Sequence, residues 1–247
     1  MHFSRTTLAL NFVGAATARS HGLSARQELN TTCDPIHYII ARGTTEGYPG
    51  SLGSLVDVLL AKYPDSNYED IVYPATQETA TNSYWEGLVN GTQQIKSYAD
   101  NCPDSKIVLM GYSQGALVVG DILAGGGNNS QLGNMTTPPY IDFDTYGQRL
   151  NAVLLYGDPR HMPNQTFNQG NASALAAPGK YPRSDEQLAA INLYADKLQD
   201  YCNYHDGVCD TRGVGNLTAH TSYTSDYNIV ASEWIESMLT KKRCSRA

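Results

Sequence analysis

The chain has 247 residues, the size of one ordinary α/β domain, and its 41% hydrophobic and 17% charged residues are those of a folded globular protein without repeats or low-complexity stretches. A formal net charge of -7 argues against a nucleic-acid partner, because gripping a phosphate backbone takes clustered Lys and Arg. The one basic cluster, Lys241-Lys242-Arg243, is at the C-terminal end and reads as a solvated tail.

At the N-terminus, Arg5 precedes an apolar run from Leu8 to Ala16, interrupted by Asn11, and Ala16-Thr17-Ala18 has the A-x-A form of a cleavage site. Residues 1–18 therefore read as an export signal, with processing at Ala18 or later, at Arg26, and residues 27–247 as a single domain. The run is too short to span a bilayer, and no later segment approaches the roughly 20 apolar residues a membrane helix needs. N-x-Ser/Thr sequons at Asn30, Asn90, Asn128, Asn134, Asn164, Asn171 and Asn216 favour the secretory route and an extracellular glycoprotein.

The first strand is expected at Ile36 to Ala41, followed by the loop Arg42-Gly43-Thr44-Thr45-Glu46-Gly47. Leu52, Leu55, Val56, Leu59 and Leu60 have the spacing of an amphipathic helix. A second short strand is expected at Ile71 to Tyr73 before Pro74, and Tyr84, Leu88, Ile95 and Tyr98 stripe a helix that ends near Asn101. Lys106 to Met110 is the third strand. Its near-continuous apolar run suits the centre of a parallel sheet covered on both faces.

A helix from Gln114 to about Ala124 stops at Gly125-Gly126-Gly127, a polar loop spans Asn128 to Pro139, and Ala152 to Tyr156 is the fourth strand. Residues 158–183 read as loop. Ser184-Asp185-Glu186-Gln187 is a helix start, with the helix expected to run to about Tyr201, and Ser225 to Leu239 forms the last helix. This alternation predicts an open, three-layer α/β domain with a mostly parallel sheet of about five strands.

Of the 5 cysteines, none belongs to a C-x-x-C or paired-His ligand pattern, so disulfides are expected and a metal site is not. Cys202 and Cys209 bracket a short loop that a bridge would clamp, and Cys33 and Cys102 each precede a strand, so a bridge between them would pin neighbouring sheet elements. Cys244 is then left as a free or intermolecularly paired tail thiol.

Gly111-Tyr112-Ser113-Gln114-Gly115 follows the apolar third strand and opens a helix. In that context G-x-S-x-G is a turn that lifts a serine hydroxyl above the sheet, which makes Ser113 the candidate nucleophile. A serine needs a base, and histidine has the suitable pKa, so downstream His161, His205 and His220 are the candidates. His220, ahead of the last helix, is preferred. Asp206, inside the loop bracketed by Cys202 and Cys209, is the favoured acid, with Asp158 in Gly157-Asp158-Pro159-Arg160 as its rival at a strand end. For an oxyanion hole, the backbone N–H of Gln114 comes with the turn, and Thr44 in the first loop is the second donor.

With these segments in view, the chain resembles the cutinase family, which includes fungal cutinases and acetylxylan esterases, from about Cys33 to Leu239. The similar segments are Ala41-Arg42-Gly43-Thr44-Thr45-Glu46, Cys102-Pro103-Asp104, Gly111-Tyr112-Ser113-Gln114-Gly115-Ala116 and Cys202 to Cys209 around Asp206. The resemblance implies a lidless α/β-hydrolase fold, a Ser113, Asp206 and His220 triad, an oxyanion hole from Thr44 and Gln114, and bridges Cys33–Cys102 and Cys202–Cys209. Ile71-Val72-Tyr73-Pro74-Ala75 and Gly157-Asp158-Pro159-Arg160 look like the acetylxylan esterase branch, whereas the cysteine count looks like cutinases.

The expected activity is therefore a secreted, monomeric serine ester hydrolase that needs no cofactor, acting on cutin-type or other plant cell-wall esters, with acetylxylan as the alternative substrate. A secreted non-catalytic binder on the same fold is the alternative from a different class.

Overall fold

The computed structural model describes residues 32–77, 82–172, 177–213 and 217–241. The expected leader, its processing region, the sequons at Asn30 and Asn216, and Lys242, Arg243 and Cys244 lie outside the described residues.

Strand β1 (Ile36–Ala41) is followed by helix α1 (Gly53–Lys62), β2 (Ser66–Asp70), α2 (Asn82–Asn101), β3 (Lys106–Tyr112) and α3 (Gln114–Ala124). A short 3-10 turn, Gly147–Arg149, leads into β4 (Leu150–Tyr156), and then come β5 (Asn168–Gln169), α4 (Asp185–Asn192), β6 (Leu198–Tyr201), α5 (Leu217–Thr221) and α6 (Tyr223–Thr240). The strands form a 6-stranded sheet in the order β2-β1-β3-β4-β6-β5. Every pairing in it is parallel.

Side chains of successive strand residues point to opposite faces, and the core divides accordingly. Ile39, Ala41, Ile107, Leu109, Val153 and Leu155 pack under α2, α3 and α4. Tyr38, Ile40, Val108, Met110, Leu154 and Tyr156 pack under α1 and α6. Burial on both faces explains why β3 and β4 read as unbroken apolar runs.

Helix α3 is buried along its whole length, Asp121 included. That charge is met by Arg160 Nε at 2.8 Å, Arg183 Nη1 at 3.0 Å and the Tyr84 hydroxyl at 2.5 Å. Burying a carboxylate without such partners would carry a large desolvation cost.

Three local expectations are corrected. The strand placed at Ile71 to Tyr73 lies just upstream, at Ser66–Asp70, where it pairs with Ile36–Ile40 of β1, while the Tyr73 and Pro74 carbonyls accept from Arg42 instead. The helix that starts at Ser184 has its capping box with Gln187 but stops at Asn192. Leu198–Tyr201 instead forms β6 on the open edge of β4, a long-range pairing that overrides local helix preference. Within the expected loop 158–183, Asn168–Gln169 adds the short β5 at the sheet edge.

The bridges expected from the cysteine spacing are both present. Cys33–Cys102 ties the entry of β1 to the segment before the adjacent strand β3, and Cys202–Cys209 closes the loop after β6.

Candidate active site

Strand β3, at the centre of the sheet, delivers Ser113 at its C-terminal end. Ser113 has φ 55° and ψ -117°, a conformation that non-glycine residues seldom occupy and that holds only where the surroundings impose it. Here the Ser113 N–H donates to the Tyr156 carbonyl at 2.8 Å, and the Ser113 carbonyl accepts from the Leu117 N–H at 3.0 Å, fixing the turn to β4 and to α3. Gly115 is forced by packing, since a Cβ there would collide with the Ala41 carbonyl of β1.

His220 sits in the short α5, ahead of α6. Its Nε2 is 2.8 Å from Ser113 Oγ, and its Nδ1 is 2.8 Å from Asp206 Oδ2. The Tyr112 hydroxyl donates to the His220 carbonyl at 3.0 Å, so the residue beside the serine also anchors the histidine backbone. Gly157, at φ +61°, lies against the ring: a Cβ there would stand 2.9 Å from His220 Cε1.

Asp206 is buried in the loop closed by Cys202–Cys209. Its Oδ1 accepts from the N–H of Val208 at 2.7 Å and of Cys209 at 3.0 Å, and its Oδ2 also accepts from the Tyr223 hydroxyl at 2.6 Å. Burial alone would raise its pKa, but the hydrogen bonds and charge of His220, with those of Tyr223 and the Cys209 N–H, hold it below the usual aspartate value.

The rival residues are placed elsewhere. Asp158 is in a buried ion pair with Arg183 at 3.0 Å, and His161 is paired with Asp200 at 2.7 Å. His205 is exposed, with its ring against Tyr204. Neither Asp158 nor His161 joins the Ser113 cluster.

Thr44, partly exposed, faces the serine turn from the loop after β1, and its Oγ1 accepts from Gln114 Nε2 at 3.4 Å. The same amide group donates to the Thr76 carbonyl at 2.8 Å, while Gln114 Oε1 accepts from the buried Ser83 hydroxyl at 2.9 Å. The loop is held from behind by Arg42, whose Nε donates to the Glu46 carbonyl at 2.7 Å, and by the Thr45 N–H, which donates to the Ala75 carbonyl at 2.7 Å.

Sequence reasoning missed Tyr223, Ser83 and Gly157. Gly157 was visible as a glycine at a strand end, but nothing local marks a tyrosine on the last helix or a serine at the start of α2 as partners of the site.

A hydroxyl raised on a strand-to-helix turn, an imidazole in hydrogen-bond reach and an ionised carboxylate behind it can support nucleophilic acyl transfer. Over a parallel sheet with helices on both faces, this arrangement defines an α/β hydrolase. The chain belongs to the cutinase family, whose model, described as Cutinase, matches residues 32–239. It is 32% identical over 243 residues to Cutinase 11 of Verticillium dahliae, covering 94% of this chain and 77% of that protein. It is also 30% identical over 247 residues to an acetylxylan esterase of Hypocrea jecorina, covering 96% of this chain and 78% of that one. A solved acetylxylan esterase structure at 0.90 Å resolution superposes with a TM-score of 0.72 at 29% identity, covering 84% of this chain and 100% of that chain. The protein is a carboxylic ester hydrolase, which displaces the non-catalytic alternative.

Proposed function

We propose that this esterase cleaves esters of plant cell-wall polymers, cutin-type esters among them, through an acyl-enzyme on Ser113. The observation that carries the mechanism is the continuous run Ser113 Oγ, His220 Nε2, His220 Nδ1, Asp206 Oδ2, with 2.8 Å at each hydrogen bond.

His220 Nε2 accepts the Ser113 proton as Oγ attacks the ester carbonyl carbon. Asp206 stabilises the imidazolium without itself taking the proton. The carbonyl oxygen gains the negative charge and is received by the backbone N–H of Gln114, at the N-terminus of α3, and by Thr44. Collapse breaks the ester C–O bond, and the leaving alcohol takes the proton from His220. Water then gives its proton to His220, attacks the acyl carbon and releases the acid and the Ser113 hydroxyl.

A second substrate reading, acetyl groups on xylan, is favoured by the similarity to acetylxylan esterases in sequence and in fold. Initial rates on p-nitrophenyl esters from acetate to palmitate, with acetate release from acetylated xylan, separate the two. Preference for butyrate or longer acyl chains with little deacetylation supports the cutin-type reading. Acetate-only activity with deacetylation supports acetylxylan. Hydrolysis that survives in Ser113→Ala would overturn the mechanism.

The same reading places the protein outside the cell as a monomer. The leader-like N-terminus, the sequons and two disulfides suit an oxidising compartment, and one chain supplies the Ser113, His220 and Asp206 cluster.

A further inference from the structure

The Asp206 carboxylate uses both of its oxygens twice. Oδ1 receives the Val208 and Cys209 amides, and Oδ2 receives His220 Nδ1 and the Tyr223 hydroxyl, the latter at 2.6 Å. Tyr223 is the first residue of α6 and is buried, with its ring stacked on Tyr156 at 5.5 Å. Its oxygen accepts the Asn203 N–H at 2.9 Å, which leaves the phenol proton directed to Asp206; the Cys209 sulfur lies 3.2 Å away.

We infer that Tyr223 is a positioning residue of this site: by donating to the same oxygen that holds His220, its phenol weakens the carboxylate's pull on the imidazole proton and sets the pH at which His220 becomes a competent base. The inference rests on the Ser113, His220 and Asp206 mechanism proposed above.

A carboxylate oxygen shared between two donors presents less charge to each, so removing one donor strengthens the other bond. The phenol is a fixed donor rather than a titrating one. Burial and the facing Asp206 charge push its own pKa well above 10.0. The other ionisable groups around the pair are Tyr112, beside His220, Tyr156 and Tyr227, beside Tyr223, and, at longer range, Asp200 and Glu46. Burial raises the pKa of each of the three phenols, so they stay neutral through the working range. The contacts that differ between a tyrosine and a phenylalanine at 223 are therefore those of the hydroxyl to the Asp206 oxygen, the Asn203 N–H and the Cys209 sulfur.

The test is kcat/KM for p-nitrophenyl butyrate against pH in the wild type, Tyr223→Phe, and a full chain carrying 3-fluorotyrosine at position 223 alone, with Ser113→Ala as control. Losing the phenol leaves Asp206 more basic and the imidazolium better stabilised, so the acid limb of Tyr223→Phe moves to higher pH. On the acid side this lowers the rate a further threefold to tenfold or so beyond any loss on the plateau. The more acidic fluorophenol donates more strongly and moves the limb to lower pH. It also keeps the ring and hydroxyl, so it reports even if the phenylalanine variant does not fold. An unmoved limb in the fluorotyrosine chain, or a downward shift in Tyr223→Phe, would overturn the inference while leaving Ser113-dependent hydrolysis in place. Hydrolysis independent of Ser113 would remove the underlying mechanism and the inference together.

Discussion

His161 Nδ1 lies 2.7 Å from Asp200 Oδ2, with both side chains buried, a second His–Asp pair apart from the serine cluster. Asp200 shares the lining of a small cavity with Asp158, Arg160 and Arg183, and Asp121 bonds both arginines. The carboxylates of Asp121, Asp158 and Asp200 thus gather around two guanidiniums and the His161 ring. Burial would lower the His161 pKa, but the carboxylate of Asp200, aided by Asp158 and Asp210, raises it above the ordinary histidine value.

The native state therefore holds a proton on His161 more tightly than the unfolded chain does. The stability this contributes is complete below the unfolded value, about 6.5, and is lost as pH rises through the folded value. Asp158, pushed by burial from 3.8 up to about 6 against the pull of Arg183, has the same sign in a lower window. We expect the unfolding free energy of the wild type to fall as pH rises above about 6.5. In His161→Gln it should fall less steeply from a starting point about 3 kcal/mol lower. Denaturant unfolding across that range checks it, and an unchanged slope in the variant would refute the assignment.

Asp206 and Asp158 should separate cleanly by kinetics. Asp206→Asn is expected to cut kcat by about 10⁴, because the amide cannot hold the same imidazole tautomer and charge. Asp158→Asn removes a partner of Arg183 and is expected to lower Tm while leaving kcat within a few-fold of wild type. Steady-state rates and melting curves on the two variants decide the matter; a large kcat loss in Asp158→Asn would point back to it as the acid.

The two bridges close loops of very different length, with sequence separations of 69 and 7. In the chain-entropy model, breaking Cys33–Cys102 costs about 4 kcal/mol and breaking Cys202–Cys209 about 2.5 kcal/mol. The shorter bridge holds the Asp206 loop, so Cys202→Ala with Cys209→Ala should lose the larger share of kcat. Cys33→Ala with Cys102→Ala should lose the larger share of stability. Equal effects of both pairs on kcat would count against the role of the clamped loop.

Thr44→Val removes the hydroxyl offered to the developing oxyanion and is expected to lower kcat by about 10² with little change in KM. Gln114→Ala keeps its backbone N–H but releases Thr44 Oγ1, Thr76 and Ser83, so a smaller kcat loss is expected. Adding Gln114→Ala to Thr44→Val should then cost less than the product of the two separate losses. A double-variant cycle measures that coupling, and full additivity would exclude the Gln114 to Thr44 contact as a functional one.

The amino-acid sequence by itself determined the elements with strong periodic patterns and the turn that bears Ser113. An apolar strand before a G-x-S-x-G turn and a helix after it leave few local conformations open, and the cysteine spacing around Asp206 implied a closed loop. The sequence could not separate a helix from a strand in Leu198–Tyr201, because that choice was made by the open edge of β4, far away in the chain. It also left Asp158 and Asp206 as rivals, the one at a strand end and the other in a loop bracketed by cysteines. Only the tertiary structure fixed the partners of each: it gave Asp158 to Arg183, and it brought His220 and Tyr223 to one oxygen of Asp206. Strand and helix patterns are written in neighbouring residues, whereas the partner of a buried charge is set by whatever the packed sheet and helices place within about 3 Å of it.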